Sequence, residues 1–95
     1  MWSRRDIIVK RLNDIDGFTC LKPRVAFYTF PSFDHDISSE DFAMDLLKAG
    51  VICAPGSAFG KGGEGHLRFS FANTIENIEK GMDIVEEVAN GIPRK

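Results

Sequence analysis

Cysteine is scarce: Cys20 and Cys53 stand far apart, with no CxxC pair and no histidine partner at metal-ligand spacing. Nothing requires a bridge between them, so they read as two free, partly buried thiols in a reducing compartment, and no metal site is expected. An excess of one charge is missing too. The chain has 12 Lys and Arg against 14 Asp and Glu, a net charge of −2, which gives no field for nucleic acid or an anionic membrane. A functional anion site must then be local, built on one or two well-placed cations. No apolar run approaches bilayer length, and the opening MWSRRDII carries charge where a signal peptide needs an apolar stretch. The chain therefore reads as cytoplasmic, with no nucleic-acid or membrane partner. Residues 1–95 read as one domain, whose single core buries about 60–65% of the unfolded chain's surface and leaves stability marginal.

What is present is periodicity. Residues 4–16 read as a helix, with Ile8, Leu12 and Ile15 on one stripe, Ile7 beside it and Gly17 as its stop. Arg4 and Arg5 occupy its first turn, where the helix dipole disfavours cations by about 0.3–1 kcal/mol. Either Ser3 and Asp6 make a true start there, or the helix is the tail of a longer one in a larger protein. Two short strands, 18–21 and 25–30, flank a turn at Lys22-Pro23-Arg24. Residues 31–36 read as a loop in which His35 is solvated rather than a metal ligand or acid–base group. Ser38 or Ser39 caps a second helix to about Ala49, with Phe42, Leu46 and Ala49 on one face and Ala43 and Leu47 alongside. Gly50 ends it, and 51–54 reads as a short buried strand.

Residues 66–72 alternate, with Leu67, Phe69 and Phe71 on one side and His66, Arg68 and Ser70 on the other. Asn73 or Thr74 caps a final helix whose Ile75, Ile78, Met82, Val85 and Ala89 follow the 3.6 period; Asn73 and Glu76 have capping-box spacing. The order predicts an α+β fold: a small mixed or antiparallel sheet of three to four strands packed against about three helices.

The stretch PGSAFGKGGEGHLRFSFA, residues 55–72, holds the chemistry. Gly60-Lys61-Gly62-Gly63-Glu64-Gly65 satisfies GxGxxG, but a dinucleotide site needs a helix leaving the last glycine, and here a strand leaves it. The P-loop fails as well. Three residues separate Gly56 from Gly60 instead of four, and Gly62 follows Lys61 where Ser or Thr must bind magnesium. The run reads as a long flexible loop joining two strands, an element that often carries function on a rigid frame.

Arg68 follows it, in mid-strand between the apolar Leu67 and Phe69. Burying a guanidinium unpaired is costly, so it needs an anion. Its planar fork suits a carboxylate held by two parallel hydrogen bonds, a geometry lysine cannot reproduce. The competing reading is an internal salt bridge to Glu64, Asp83 or Glu86.

Two blocks in this stretch, Pro55-Gly56-Ser57-Ala58-Phe59-Gly60 and Gly65-His66-Leu67-Arg68-Phe69-Ser70-Phe71-Ala72, together resemble a C-terminal signature of class I/II pyridoxal-phosphate aminotransferases. These are the aspartate aminotransferase-like enzymes of fold type I. Arg4-Arg5-Asp6 with Leu12-Asn13-Asp14-Ile15-Asp16-Gly17, Ala26-Phe27-Tyr28-Thr29-Phe30-Pro31 and the capped helix from Ser38 to Val51 resemble further family segments, in the family's order. Val25 departs from the family, which usually has glycine there.

The resemblance implies the small C-terminal domain of an amino-acid aminotransferase, a homodimer in its intact form, acting on an amino acid and a keto acid. It gives Arg68 the substrate's α-carboxylate. It also sets the glycine loop, with Gly56 and Ser57, near the active-site mouth, and makes Phe27 and Tyr28 candidates for that mouth, packing being the other reading of both. The resemblance further implies pyridoxal phosphate in the intact enzyme, held by a lysine in a Ser-x-Ser/Thr-Lys context within a large domain. None of Lys10, Lys22, Lys48, Lys61, Lys80 and Lys95 has that context, so no covalent cofactor and no activity are expected of this chain alone. The alternative is a free-standing α+β module that uses Arg68 and the loop to hold a carboxylate ligand or an acidic partner.

Overall fold

The computed structural model describes residues 2–23 and 27–95. Three helices pack against two small antiparallel sheets, the α+β arrangement that the element order implies. Helix α1, Arg4–Asn13, starts at Ser3 with a complete capping box: Ser3 Oγ accepts from the Asp6 amide at 3.1 Å, and Asp6 accepts from the Ser3 amide. The basic first turn is put to use, since Arg4 donates to the Asn73 carbonyl at 3.2 Å, just ahead of the last helix. The helix is shorter than its apolar stripe. Asn13 turns aside to bracket the backbone of Cys20, accepting from its amide and donating to its carbonyl, both at 2.8 Å. Asp14 then caps the helix and a turn keeps Ile15 in the core.

The second helix, α2 (Ser39–Ala49), is capped by Ser38, whose Oγ accepts from Asp41. Gly50, at φ 105°, closes it with bonds from Gly50 to Leu47 and from Val51 to Leu46, the Schellman pattern in which the left-handed residue is glycine. Phe42 and Leu46 are fully buried; Leu47 and Ala49, expected on or beside the apolar face, are exposed in the last turn, before the chain reverses at Gly50. Helix α3, Ile75–Asn90, is capped by Thr74, whose Oγ1 accepts from Asn77, so the Asn73–Glu76 spacing is not the cap. Its inward positions Ile78, Met82, Val85 and Ala89 are buried, while Ile75 is exposed in the first turn. Arg11 of α1 pairs with Glu79 and Asp83 of α3, joining the two helices.

Strands β1 (Phe18–Thr19) and β3 (Ser32–Phe33) form one sheet; β2 (Tyr28–Thr29), β5 (Leu67–Ser70) and β4 (Ala54–Pro55) form the other, in the order β2-β5-β4. The 31–36 stretch, expected to be loop, thus contributes a strand. It is too short to show alternation, and its register is set by Phe33 packing opposite Phe18. The strand expected over 51–54 is displaced: only Ala54 and Pro55 pair with β5, and Ile52 points outward. Pro55 is tolerated because β4 is an edge. The expected strand over 25–30 begins outside the described residues, and the turn there also lies partly outside them.

His35 overturns its solvated reading. It is 1% exposed and sits among Phe18, Phe33 and Phe42, its ring centroid 5.4 Å from those of both Phe18 and Phe42. Gly17 makes the room. It adopts φ 93°, and a Cβ there would fall 2.6 Å from His35 Cε1. Burial lowers the imidazole's basicity, with the Asp34 charge opposing. Cys20 and Cys53 are free thiols, and burial pushes both up to about 11. No described helix is long and apolar enough to cross a membrane, and the described residues hold no cluster suited to a metal ion.

Candidate functional site

Arg68 lies in the central strand of the three-stranded sheet, on the face opposite the buried Leu67 and Phe69. Tyr28, on β2 opposite Ser70, shares that face across the strand pair. Its ring centroid is 4.5 Å from the Arg68 guanidinium carbon, and that of Phe59 is 4.4 Å away. Two aromatic rings therefore flank one guanidinium within cation–π reach. The N–H donors of a guanidinium lie in its plane. Those of Arg68 have no hydrogen-bond partner among the described residues, and a planar anion gripped by two parallel bonds suits them.

Around this group opens a cavity of about 570 Å³. Its aromatic wall is Tyr28, Phe30 and Phe59, with Leu21 and Pro23 adding apolar surface; Lys22, His66 and Arg68 bring the basic groups, and no carboxylate lines it among the described residues. His66 stacks parallel on Phe30, centroids 4.7 Å apart and planes at 10°, while Phe59 meets Phe30 edge-on at 6.0 Å. Among the described residues Arg68 makes no ion pair. Of its three expected internal partners, Asp83 pairs with Arg11 and Glu64 bonds to Ser39.

The glycine run is built for backbone contact. A Cβ on Gly56 would lie 1.9 Å from the Gly63 carbonyl, and one on Gly63 would lie 1.8 Å from that of Gly56. The close approach folds the loop onto itself and lets residues Gly56–Phe59 form a 3-10 turn that carries Phe59 to Arg68. Five of the loop's amides bond within the fold: Gly56 donates to His66, Gly63 to Gly60, His66 to Gly63, Gly65 to Glu64 and Ser57 to Ser39. These five are not free to cradle a phosphate.

The structure thus brings Arg68 and Tyr28 together. Gly56 and Ser57 begin the turn that delivers Phe59, without lining the cavity themselves. Phe27 sits at φ 73° with its ring 6.2 Å from that of Phe71 and its carbonyl accepting from Phe71, off the cavity. Phe30, Phe59 and His66 were not among the expected site residues. For His66 a signal existed, because it stands two residues before Arg68 on the same strand face; Phe59 and Phe30 carry no such mark in sequence.

Comparison with known proteins agrees with this architecture. The family model for aminotransferase class I and II matches residues 1–85. Aromatic-amino-acid aminotransferase 2 of Thermococcus litoralis and an aspartate aminotransferase of Pyrococcus abyssi are each 45% identical over 87 residues, 90% of this chain and 22% of theirs. Among solved structures, an aromatic aminotransferase from Pyrococcus horikoshii superposes with a TM-score of 0.86 at 43% identity, over 93% of this chain and 24% of that one. An alanine aminotransferase from Pyrococcus furiosus gives a TM-score of 0.87 at 41% identity, over 93% and 23%. The chain therefore spans less than a quarter of the relatives it matches. At this identity and coverage of its own length, the chain belongs to the aminotransferase class I and II family.

Proposed function

We propose that this chain is the small C-terminal domain of an amino-acid aminotransferase and that Arg68 binds the substrate's α-carboxylate. The observation that carries the reading is the guanidinium bracketed by Tyr28 and Phe59 at a cavity, without an acid of its own among the described residues. The edge-on fork selects a carboxylate and orients it. The intact enzyme is a cytoplasmic homodimer that transfers an amino group between an amino acid and a keto acid.

Pyridoxal phosphate supplies the electron sink for that chemistry in this family. The residues described here do not fit it. The cavity has no carboxylate among the described residues to face a pyridine nitrogen, and five of the loop's amides are bonded within the fold. The cofactor, its lysine and its phosphate cup accordingly belong to a large domain, and the 95-residue chain alone is inactive.

In the intact enzyme, Arg68→Ala removes two charge-assisted bonds, each worth about 1.5–3 kcal/mol. It raises KM for the amino acid and lowers kcat/KM by roughly two orders of magnitude or more, with Arg68→Lys recovering part of the loss. Unchanged amino-acid kinetics in Arg68→Ala would remove the carboxylate role. For the chain alone, borohydride treatment with pyridoxal phosphate should trap no single lysine stoichiometrically; one that traps fully would contradict the assignment to a domain without the cofactor site.

A further inference from the structure

Glu64 sits four residues before Arg68 but closes on helix α2 instead. One carboxylate oxygen accepts from the Ser39 amide at 2.8 Å and the Gly65 amide at 2.9 Å; the other accepts from Ser39 Oγ at 3.1 Å. Ser39 is fully buried, and its hydroxyl accepts in turn from the Ser57 amide at 3.2 Å. The bonds therefore run from the glycine loop through the first residue of α2 into the 3-10 turn, two residues before Phe59. Ser38 caps α2 through Asp41, and Glu64 takes the Ser39 amide, another of the first-turn donors. The link onward from Ser39 Oγ to Ser57 does nothing for the helix.

The turn has few other tethers. Its first residue is held by the Gly56–His66 bond and by the contact with Gly63; past its end Gly63 donates to Gly60, and Phe59 itself meets Phe30 edge-on. Ser57, inside the turn, is where the tether from Ser39 attaches. Phe59 follows two residues on, and its ring centroid lies 4.4 Å from the Arg68 guanidinium carbon.

We infer that Glu64 is a positioning residue for the Arg68 site: tied to the Ser39 amide and hydroxyl, and through Ser39 to Ser57, it sets the 3-10 turn so that the Phe59 ring covers the guanidinium. The inference rests on Arg68 being the carboxylate-binding group. Its backbone donors also hold the Glu64 carboxyl below the usual carboxylate range, so it stays charged and bonded at neutral pH. Glu64→Gln keeps the size of the side chain, but with its carbonyl on the Ser39 and Gly65 amides its NH2 faces Ser39 Oγ, so the charge is lost and the bond from the Ser39 hydroxyl is reversed. The turn then loosens, Phe59 leaves the guanidinium, and the fork must be ordered by each ligand that binds.

The test uses the 95-residue chain at pH 7.5, with propionate as the carboxylate probe and the Arg68 Nε–Hε resonance as the reporter. Glu64→Gln, Phe59→Leu and the double variant are compared with the parent. Each single variant moves the Arg68 resonance away from its ring-shifted position and weakens propionate binding by about threefold to fivefold, the size of a lost cation–π contact. The double variant loses no more than Phe59→Leu alone, because both changes act through one contact. An unmoved Arg68 resonance in Glu64→Gln overturns the inference, as does a double variant whose loss is the product of the two singles. Should Glu64→Gln fail to fold, Ser39→Ala, which cuts the link to Ser57 and leaves the Ser39 amide bond, takes its place with the same expectations. Arg68→Ala separates the two readings. If it leaves propionate binding intact, the carboxylate role falls, while the parent's Arg68 resonance still reports where Phe59 lies.

Discussion

His35 makes the stability of this chain fall as pH drops below neutrality. The imidazole is 1% exposed, packed among three phenylalanine rings, and its Nδ1 has no hydrogen-bond partner among the described residues. Burial therefore lowers its pKa; the Asp34 charge opposes this and Arg94 adds to it. In the unfolded chain the same group titrates near the ordinary value of about 6.5. The unfolded state thus binds the proton first as pH falls, and stability declines from about pH 6.5 down to the folded-state pKa. The loss between pH 7.5 and 5.5 is at most about 1.4 kcal/mol, the value for an imidazole that stays neutral in the fold throughout. For a domain of this size that corresponds to roughly 5–10 °C in the unfolding midpoint.

Urea unfolding at half-unit pH steps, for the parent and for His35→Leu, is the assay. The parent's free energy should fall with pH across this window and that of His35→Leu should stay flat. Carboxylates held low in the fold, Asp6 and Glu64 among them, lose their contributions only as pH falls through the acid range below about 4.5, outside the window. Equal slopes in the two proteins would refute the reasoning, for they would show that His35 charges as easily folded as unfolded.

Two further stability predictions follow from the same core. Thr29 Oγ1 is buried without a partner among the described residues, so Thr29→Val, nearly the same in shape, should stabilise the chain by about 1 kcal/mol in urea unfolding. Gly17→Ala should destabilise it by more than about 1 kcal/mol, because φ 93° strains any L side chain and the new methyl would meet Asp34 and His35 at 2.6 Å; thermal denaturation reads it directly.

The helices were legible because their signals repeat. In α3 the apolar period runs through four turns, so a single exception such as Ile75 does not blur it. Ser38 and Gly50 bound α2 by chemistry that acts within a few residues, and such signals survive without any knowledge of the rest of the fold. The failures are places where a distant partner decides. Nothing in residues 31–36 reveals that β1 lies alongside, and Ser32 and Phe33 become a strand only through that pairing. His35, set between two aspartates, has the local look of a solvated residue. Its burial depends on Gly17, eighteen positions away, leaving the space for it.

The same division runs through the site. Strand alternation is local, and it put Arg68 on the face opposite Leu67 and Phe69, where the structure has it. The bracket around Arg68 is not local: Tyr28 comes from a neighbouring strand, and Phe59 from a turn whose path depends on two glycines in backbone contact. Proximity in sequence was misleading for Glu64. Four positions from Arg68, it looked like an internal partner, yet its carboxylate lies at the start of α2. That outcome follows from what each location offers the carboxylate. At α2 it meets the buried amide and hydroxyl of Ser39, whereas at Arg68 it would occupy the fork and leave those two donors without this partner, at a cost of about 1–3 kcal/mol each. The glycine loop thus keeps its own acid away from the cation, and the guanidinium edge stays open to a carboxylate from outside the chain.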